Sequence, residues 1–330
     1  MPAANLLGEI GKGHKIAFNT LNYGRLKLGA MCSGGARIAI EEAARYATER
    51  KQFGRSIASF GAIRQKLGEM IARQYAVEAM LYRTTGAIDA MLAGRHDPQR
   101  ILETLEEFAI ESSILKVAAS EAVDFILDEN VQIHGGNGFV RDYPAERRYR
   151  DARVNRIFEG TNEINRLLIP GLLLRRGVAG SAADADAFAS PQDRDLGGAR
   201  AASVAGIKRA ALTVLATAAA RFGGTLNDEQ EVLLAAADMV IEAFASESAI
   251  LRARQSGDPL HAAAAQLYVS GAAARADHAA ATALPGILQG DALDRQAAAV
   301  RSMVARPPIN TIALGRELAD AAVLRRTYPF

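Results

Sequence analysis

From His14 to Lys51 the chain runs without a proline and is dominated by alanine, leucine, isoleucine and charged residues. A breaker-free run of that length favours helix, and most of the remaining chain repeats the pattern. No segment of any length alternates with the two-residue period of a strand. The expected fold class is therefore all-α. Hydrophobic residues make up 49% and charged residues 23% of the 330, enough to build a core and too apolar for wholesale disorder. A formal net charge of +2 gives no basic field for nucleic acid. The single cysteine, Cys32, excludes an internal disulfide and suits a reducing compartment. Residues 1–13 lack an apolar signal core, and no uncharged apolar run of about 18 residues spans a bilayer. The expected location is the cytoplasm.

Glycine and proline divide the chain. A first helix covers about 14–51, with Gly34-Gly35 inside it, where another backbone or a ligand could approach. A second covers about 59–93, with Ile63, Leu67, Met70, Ile71, Val77, Met80 and Leu81 at helical spacing. Asp97-Pro98 reads as an N-cap for a third, to about Gln132. Its apolar face carries Phe108, Leu115, Ala118, Ala122, Phe125 and Ile126, and keeps Glu106, Glu111, Glu121 and Asp128 off it. Short loops between three long helices predict an antiparallel bundle. A short basic helix to about Arg153 follows, then one capped by Thr161-Asn162 and interrupted or kinked at Pro170. Residues 177–198 read as a linker. Ala-rich helices at about 199–222, 228–256, 259–284, 292–304 and 312–326 then form a second, separate helical bundle.

Four segments offer chemistry, and each also has a plain reading. Arg50 and Phe53, at a helix end, offer a charged fork and a flat ring, or a solvated basic terminus. Gln132-Ile133-His134-Gly135-Gly136-Asn137-Gly138 exposes backbone N–H groups, or is a simple C-cap and turn. Glu159, between Phe158 and Gly160, stands where desolvation suits a general base, or is an exposed turn glutamate. Asn22-Tyr23-Gly24-Arg25 lies inside the first helix and can be ordinary helix. The five histidines and one cysteine have no metal-ligand spacing, so no metal is expected. The basic end formed by Arg316, Arg325 and Arg326 offers a membrane-surface or partner contact, or a solvated face.

Taken in order, Glu49-Arg50-Lys51-Gln52-Phe53-Gly54, Gln132 to Gly138, Arg150-Asp151-Ala152-Arg153, and Ile157-Phe158-Glu159-Gly160-Thr161-Asn162-Glu163 resemble the acyl-CoA dehydrogenase family. Residues 14–176 look like the family's C-terminal helical bundle. Residues 199–330 are similar in placement to the extra C-terminal domain of its very-long-chain branch. Residues 1–13 resemble the junction after the β-barrel domain that precedes this region in the family. The resemblance thus implies that the N-terminal and barrel domains are lost or supplied by another polypeptide, and that this chain alone performs the reaction poorly.

The resemblance also implies roles. Arg50, Gln52 and Phe53 match the segment that contacts FAD across a dimer interface, and Gln132, Gly135 and Gly136 the loop that holds the neighbour's FAD. Thr161, Asn162 and Glu163 match the turn beside the FAD in the base-bearing subunit. Asn22, Arg25, Phe158 and Gly160 match positions near the acyl-CoA. Glu159 matches the catalytic base. One branch of the family places its base immediately before the arginine equivalent to Arg25, where this chain has Gly24. The implied reaction is FAD-dependent α,β-dehydrogenation of a fatty acyl-CoA to a trans-2-enoyl-CoA, as in β-oxidation. Its implied partners are an electron-transfer flavoprotein and further copies of the chain, as a homodimer or dimer of dimers. An acyl-CoA oxidase relative and a non-catalytic assembly module are the other readings.

Overall fold

The computed structural model describes residues 2–95, 97–177, 199–305 and 307–330. The stretch read as a linker falls, from residue 178 on, outside the described residues. Eleven α-helices are present among those described: α1 (Gly13–Glu49), α2 (Gly61–Leu92), α3 (Pro98–Glu107), α4 (Ala109–His134), α5 (Ala145–Ala152), α6 (Asn162–Arg175), α7 (Ala199–Phe222), α8 (Gln230–Ser256), α9 (Pro259–Ile287), α10 (Gly290–Met303) and α11 (Thr311–Arg325). The all-α expectation holds. Its one exception is a two-residue antiparallel ladder pairing Lys51 with Ser56 and Gln52 with Arg55.

Caps set several boundaries. Asp97 accepts from the Arg100 N–H at 3.0 Å, and Asp258 from that of Leu260 at 2.8 Å, each ahead of a proline in the first turn. The third helix is not continuous, however. Phe108 leaves helical geometry (ψ 24°) and separates α3 from α4. The break leaves Glu106 and Glu107 at the unfavourable negative end of α3, and places Glu107 and Glu111 near the positive end of α4. α6 runs through Pro170 without interruption, because Ile169, Pro170 and Leu173 are all buried in the core.

α1 lies along α4, with Gly29 against Leu115. α2 is buried on opposite faces, one towards α1 and α4, the other towards α8, α9 and α11. Consequently one apolar core runs from Leu28 to Tyr328. The second bundle thus packs on the first through α2 and shares that core. Small residues let the backbones meet: a Cβ on Gly68 of α2 would stand 2.6 Å from Gly315 Cα of α11. Two carboxylates on the polar face of α4 are engaged by the second block. The second block covers the polar face of α4, so Glu111 lines an apolar cleft of about 390 Å³, where burial pushes its carboxyl above the usual range. Glu121 meets Arg166 and, through it, α8.

Ala202–Asp228 is long and apolar enough to cross a bilayer, with mean hydropathy 1.2, but Val204, Ile207, Ala210, Val214 and Leu215 of that stretch are buried in the core. The basic end of α11 is engaged within the chain: Arg326 pairs with Glu49, and Arg325 donates to the Pro329 carbonyl.

Candidate active site

Glu159 sits in a turn that the backbone does not favour. Its φ is +58° and that of Gly160 +80°, two successive left-handed residues, the first carrying a side chain. Such a conformation persists only where surrounding contacts impose it. Here two buried side chains do so. The Arg25 Nε donates to the Glu159 carbonyl at 3.1 Å. The Asn165 Nδ2 reaches three carbonyls in a row, those of Glu159 (3.4 Å), Gly160 (2.8 Å) and Thr161 (3.0 Å). Arg25 is itself braced: its Nη1 donates to Asn22 Oδ1 at 3.1 Å, and Asn22 Nδ2 donates to the Leu105 carbonyl at 3.3 Å. Burial pulls the Arg25 pKa down against the attraction of Glu159. Gly160 fits because a Cβ there would lie 3.2 Å from Asn165 Nδ2.

The carboxylate of Glu159 lies over α1. A Cβ on Gly24 would be 2.3 Å from its Oε2, so the carboxylate fills the space that any side chain at position 24 would take. Its surroundings are not the expected apolar flanks. Phe158 is 42% and Ile157 53% exposed, because the left-handed turn directs both outward and leaves the carboxylate against Gly24.

Behind this turn, Thr161 caps α6 by accepting from the Ile164 N–H at 3.3 Å. Asn162 is buried, and its amide is committed to the core. Its Oδ1 accepts from Lys116 Nζ at 2.6 Å, and its Nδ2 donates to Glu121 Oε1 at 2.9 Å. A contact from Asn162 to a cofactor therefore falls to its backbone. Glu163 is exposed, and hydrogen bonds from its own N–H and from Thr161 hold its carboxyl below the usual range. Lys116 is wholly buried, and desolvation pulls its pKa down to about 8.

The other predicted residues gather at the far end of α1. Arg50 ends that helix with its side chain exposed, and its carbonyl accepts the Ile57 N–H at 2.8 Å. Phe53 (φ +52°) and Gly54 (φ +80°) form the tip of the small hairpin, as two-residue hairpin turns require. The Phe53 ring is 92% exposed. Beside it, Gln132 is exposed on the last turn of α4, and Gly135 and Gly136 have open space where side chains would be. His134 and Asn137 of the glycine segment, with Tyr46 and Tyr143, which the sequence reading gave no role, lock these two segments together. His134 stacks on Tyr46 at 4.1 Å, and Asn137 donates to the Tyr46 hydroxyl at 3.0 Å and to that of Tyr143 at 3.3 Å. The alternation of rings and amides near a glycine loop was the available signal. Burial pulls the His134 pKa down, which favours the neutral ring packed here.

The fold thus brings Asn22, Arg25, Phe158, Glu159, Gly160, Thr161, Asn162 and Glu163 to one end, and Arg50, Gln52, Phe53, Gln132, Gly135 and Gly136 to the other. Gly24 and Glu49 lie about 38 Å apart along α1 at 1.5 Å per residue. Asn22, Arg25 and Glu159 are thus well separated along α1 from the Arg50 hairpin. A cavity of about 690 Å³ lies between α2, α4, α6, α8 and α9, and Glu159 does not line it.

Residues 11–171 match the family described as acyl-CoA dehydrogenase, C-terminal domain, and residues 206–302 match a second domain of the same description. The chain belongs to the acyl-CoA dehydrogenase family. A probable acyl-CoA dehydrogenase of Bacillus subtilis is 38% identical over 342 residues, covering 97% of this chain and 58% of the relative. The very long-chain specific acyl-CoA dehydrogenase of rat mitochondria is 41% identical over 169 residues, 51% of this chain and 24% of that protein. Among solved structures, an acyl-CoA dehydrogenase of Bacillus anthracis complexed with FAD superposes with a TM-score of 0.92 at 37% identity, covering 99% of this chain and 60% of that one. The chain therefore spans about three fifths of the acyl-CoA dehydrogenases that it matches along its whole length.

Proposed function

We propose that this chain is the base-bearing part of an FAD-dependent acyl-CoA dehydrogenase that converts a fatty acyl-CoA to its trans-2-enoyl-CoA, a β-oxidation step in the cytoplasm. The observation that carries this reading is the Glu159 carboxylate seated on Gly24, with its backbone held by Arg25 and Asn165.

The α C–H of a thioester is a weak acid, so the base must be fixed close to it and shielded from water. The left-handed turn fixes Glu159. Bare Gly24 lets the carboxylate reach the surface of α1 without a competing side chain. Glu159 then takes the α proton, while exposed Phe158 offers apolar surface to the acyl chain and Asn22, Arg25 and Gly160 shape the pocket floor. FAD, when bound, supplies the hydride acceptor for the β carbon. The residues available fit that group. Arg50 offers an unburied guanidinium suited to a diphosphate, Phe53 an exposed ring, and Gly135 and Gly136 a surface with no side chain to block a close approach. Because Arg50 and Phe53 lie at the opposite end of α1 from Asn22, Arg25 and Glu159, we infer a homodimer, or a dimer of dimers, in which one copy's Arg50 and Gln132 segments complete the other's site. An electron-transfer flavoprotein is the proposed acceptor of the electrons.

Glu159→Gln tests the reading, since it keeps size and hydrogen bonding and removes basicity. In flavin-loaded enzyme containing this chain, acyl-CoA should bleach the flavin about 10²–10⁴-fold more slowly, the usual loss for a general base. An unchanged bleaching rate would assign the base elsewhere.

A further inference from the structure

The Glu159 turn is tied to the second block of helices by a continuous line of charge-assisted hydrogen bonds. Arg166, on α6, places its Nη1 and Nη2 on the two carboxylate oxygens of Glu121 on α4, at 2.6 and 2.8 Å. Its Nε, the third edge of the same guanidinium, donates to Asp238 on α8 at 2.7 Å. Glu121 Oε1 also accepts from Asn162 Nδ2 at 2.9 Å, and Asn162 is the first residue of α6. One turn on, Asn165 holds the carbonyls of residues 159–161. Wherever this end of α6 lies, the Glu159 backbone must follow.

We propose that Asp238 is a positioning residue for Glu159, acting through Arg166, Glu121 and Asn162, so that the second helical block orients the base it does not touch. The proposal rests on the reading of Glu159 as the base. Its physical basis is the planar guanidinium, whose orientation is fixed when all three nitrogens meet the two carboxylates and which is freer to pivot when one nitrogen does not. The Arg166 side chain is 15% exposed, against 38% for Glu121 and 45% for Asp238, so the guanidinium is the more confined member of the network. The strained φ at Glu159 makes the turn responsive, because it relaxes as soon as the restraint loosens.

Glu242 supplies an internal comparison. It lies one turn beyond Asp238 on α8, lines the same cavity and pairs with Arg275 and Tyr268 of α9, with no bond to α6. Amide hydrogen exchange of the full chain reads the coupling without turnover, so a failed base assignment and a failed coupling are separate results. In Asp238→Asn, amides of residues 159–165 should exchange at least about tenfold faster, the scale of losing one hydrogen bond to a charged group. Glu242→Gln should leave them within about twofold of the parent, and Asp238→Glu should restore most of the protection. If Asp238→Asn does not fold, Arg166→Lys takes its place, since it keeps the charge and loses the three-edged fork; it too should speed exchange at 159–165. Unchanged exchange at 159–165 in the variant measured, or an equal rise in Glu242→Gln, overturns the proposal.

Discussion

Gly24 and Glu159 interlock: a Cβ on the glycine would stand 2.3 Å from the glutamate's Oε2. The two residues are far apart in the chain, yet each is intelligible only with the other. Gly24→Ala is therefore expected to push the carboxylate aside. Alanine is the better helix former by about 1 kcal/mol, so the fold should not suffer. Flavin reduction by acyl-CoA should fall about 10²-fold, as for a reacting group displaced by roughly an ångström. Stopped-flow bleaching beside urea unfolding checks both halves; full activity in Gly24→Ala would mean that the carboxylate works from another position.

Asn165 gives one amide to three carbonyls, while its own Oδ1 has no partner. Asn165→Ala removes the donor and leaves those buried acceptors underserved. We expect a stability loss of about 1–3 kcal/mol. Urea denaturation measures it, and a loss below about 0.5 kcal/mol, typical of a surface site, would show that water replaces the amide.

Lys116 gives a pH signature. Burial lowers its pKa from 10.5 to about 8 in the folded protein. Below about pH 8 the amine is charged in both states and its burial cost is constant. Between about 8 and 10.5 the unfolded chain holds a proton that the folded one has released, so this contribution makes stability rise with pH, by about 3 kcal/mol in all. Cys32 acts in the opposite sense above pH 9, since burial pushes its thiol up to about 12. The difference between the parent and Lys116→Met isolates the lysine. Unfolding free energies at pH 7.5, 9 and 10 should show the parent gaining on the variant as pH rises; parallel curves would contradict the assigned burial.

The crossing of α2 and α11 leaves no room for a methyl group, with Gly68 against Gly315. Gly68→Ala should force the helices apart and cost about 1–3 kcal/mol, despite the better helix propensity of alanine. Limited proteolysis should then cut first around α11. A variant as stable and resistant as its parent would show that the crossing yields easily.

Much of this protein is written in local signals. The all-α class, the Asp97 and Asp258 caps and the Thr161 cap of α6 follow from propensity and from capping residues that act within one turn. The resemblance carried by the Arg50, Gln132 and Glu159 segments likewise rests on short motifs. Other features needed the tertiary structure. Phe108 breaks a helix that composition would continue, and Pro170 sits inside one that composition would break. Glu111 and Glu121 belong to a polar helix face until α7 and α8 cover it. Glu159 gained its place from Gly24, Arg25 and Asn165, and Asn162 lost its side chain to Lys116 and Glu121. Caps and propensities are settled among neighbours three or four residues apart. Which buried donor meets which acceptor depends on helices packed across the whole chain, and no local pattern records that choice.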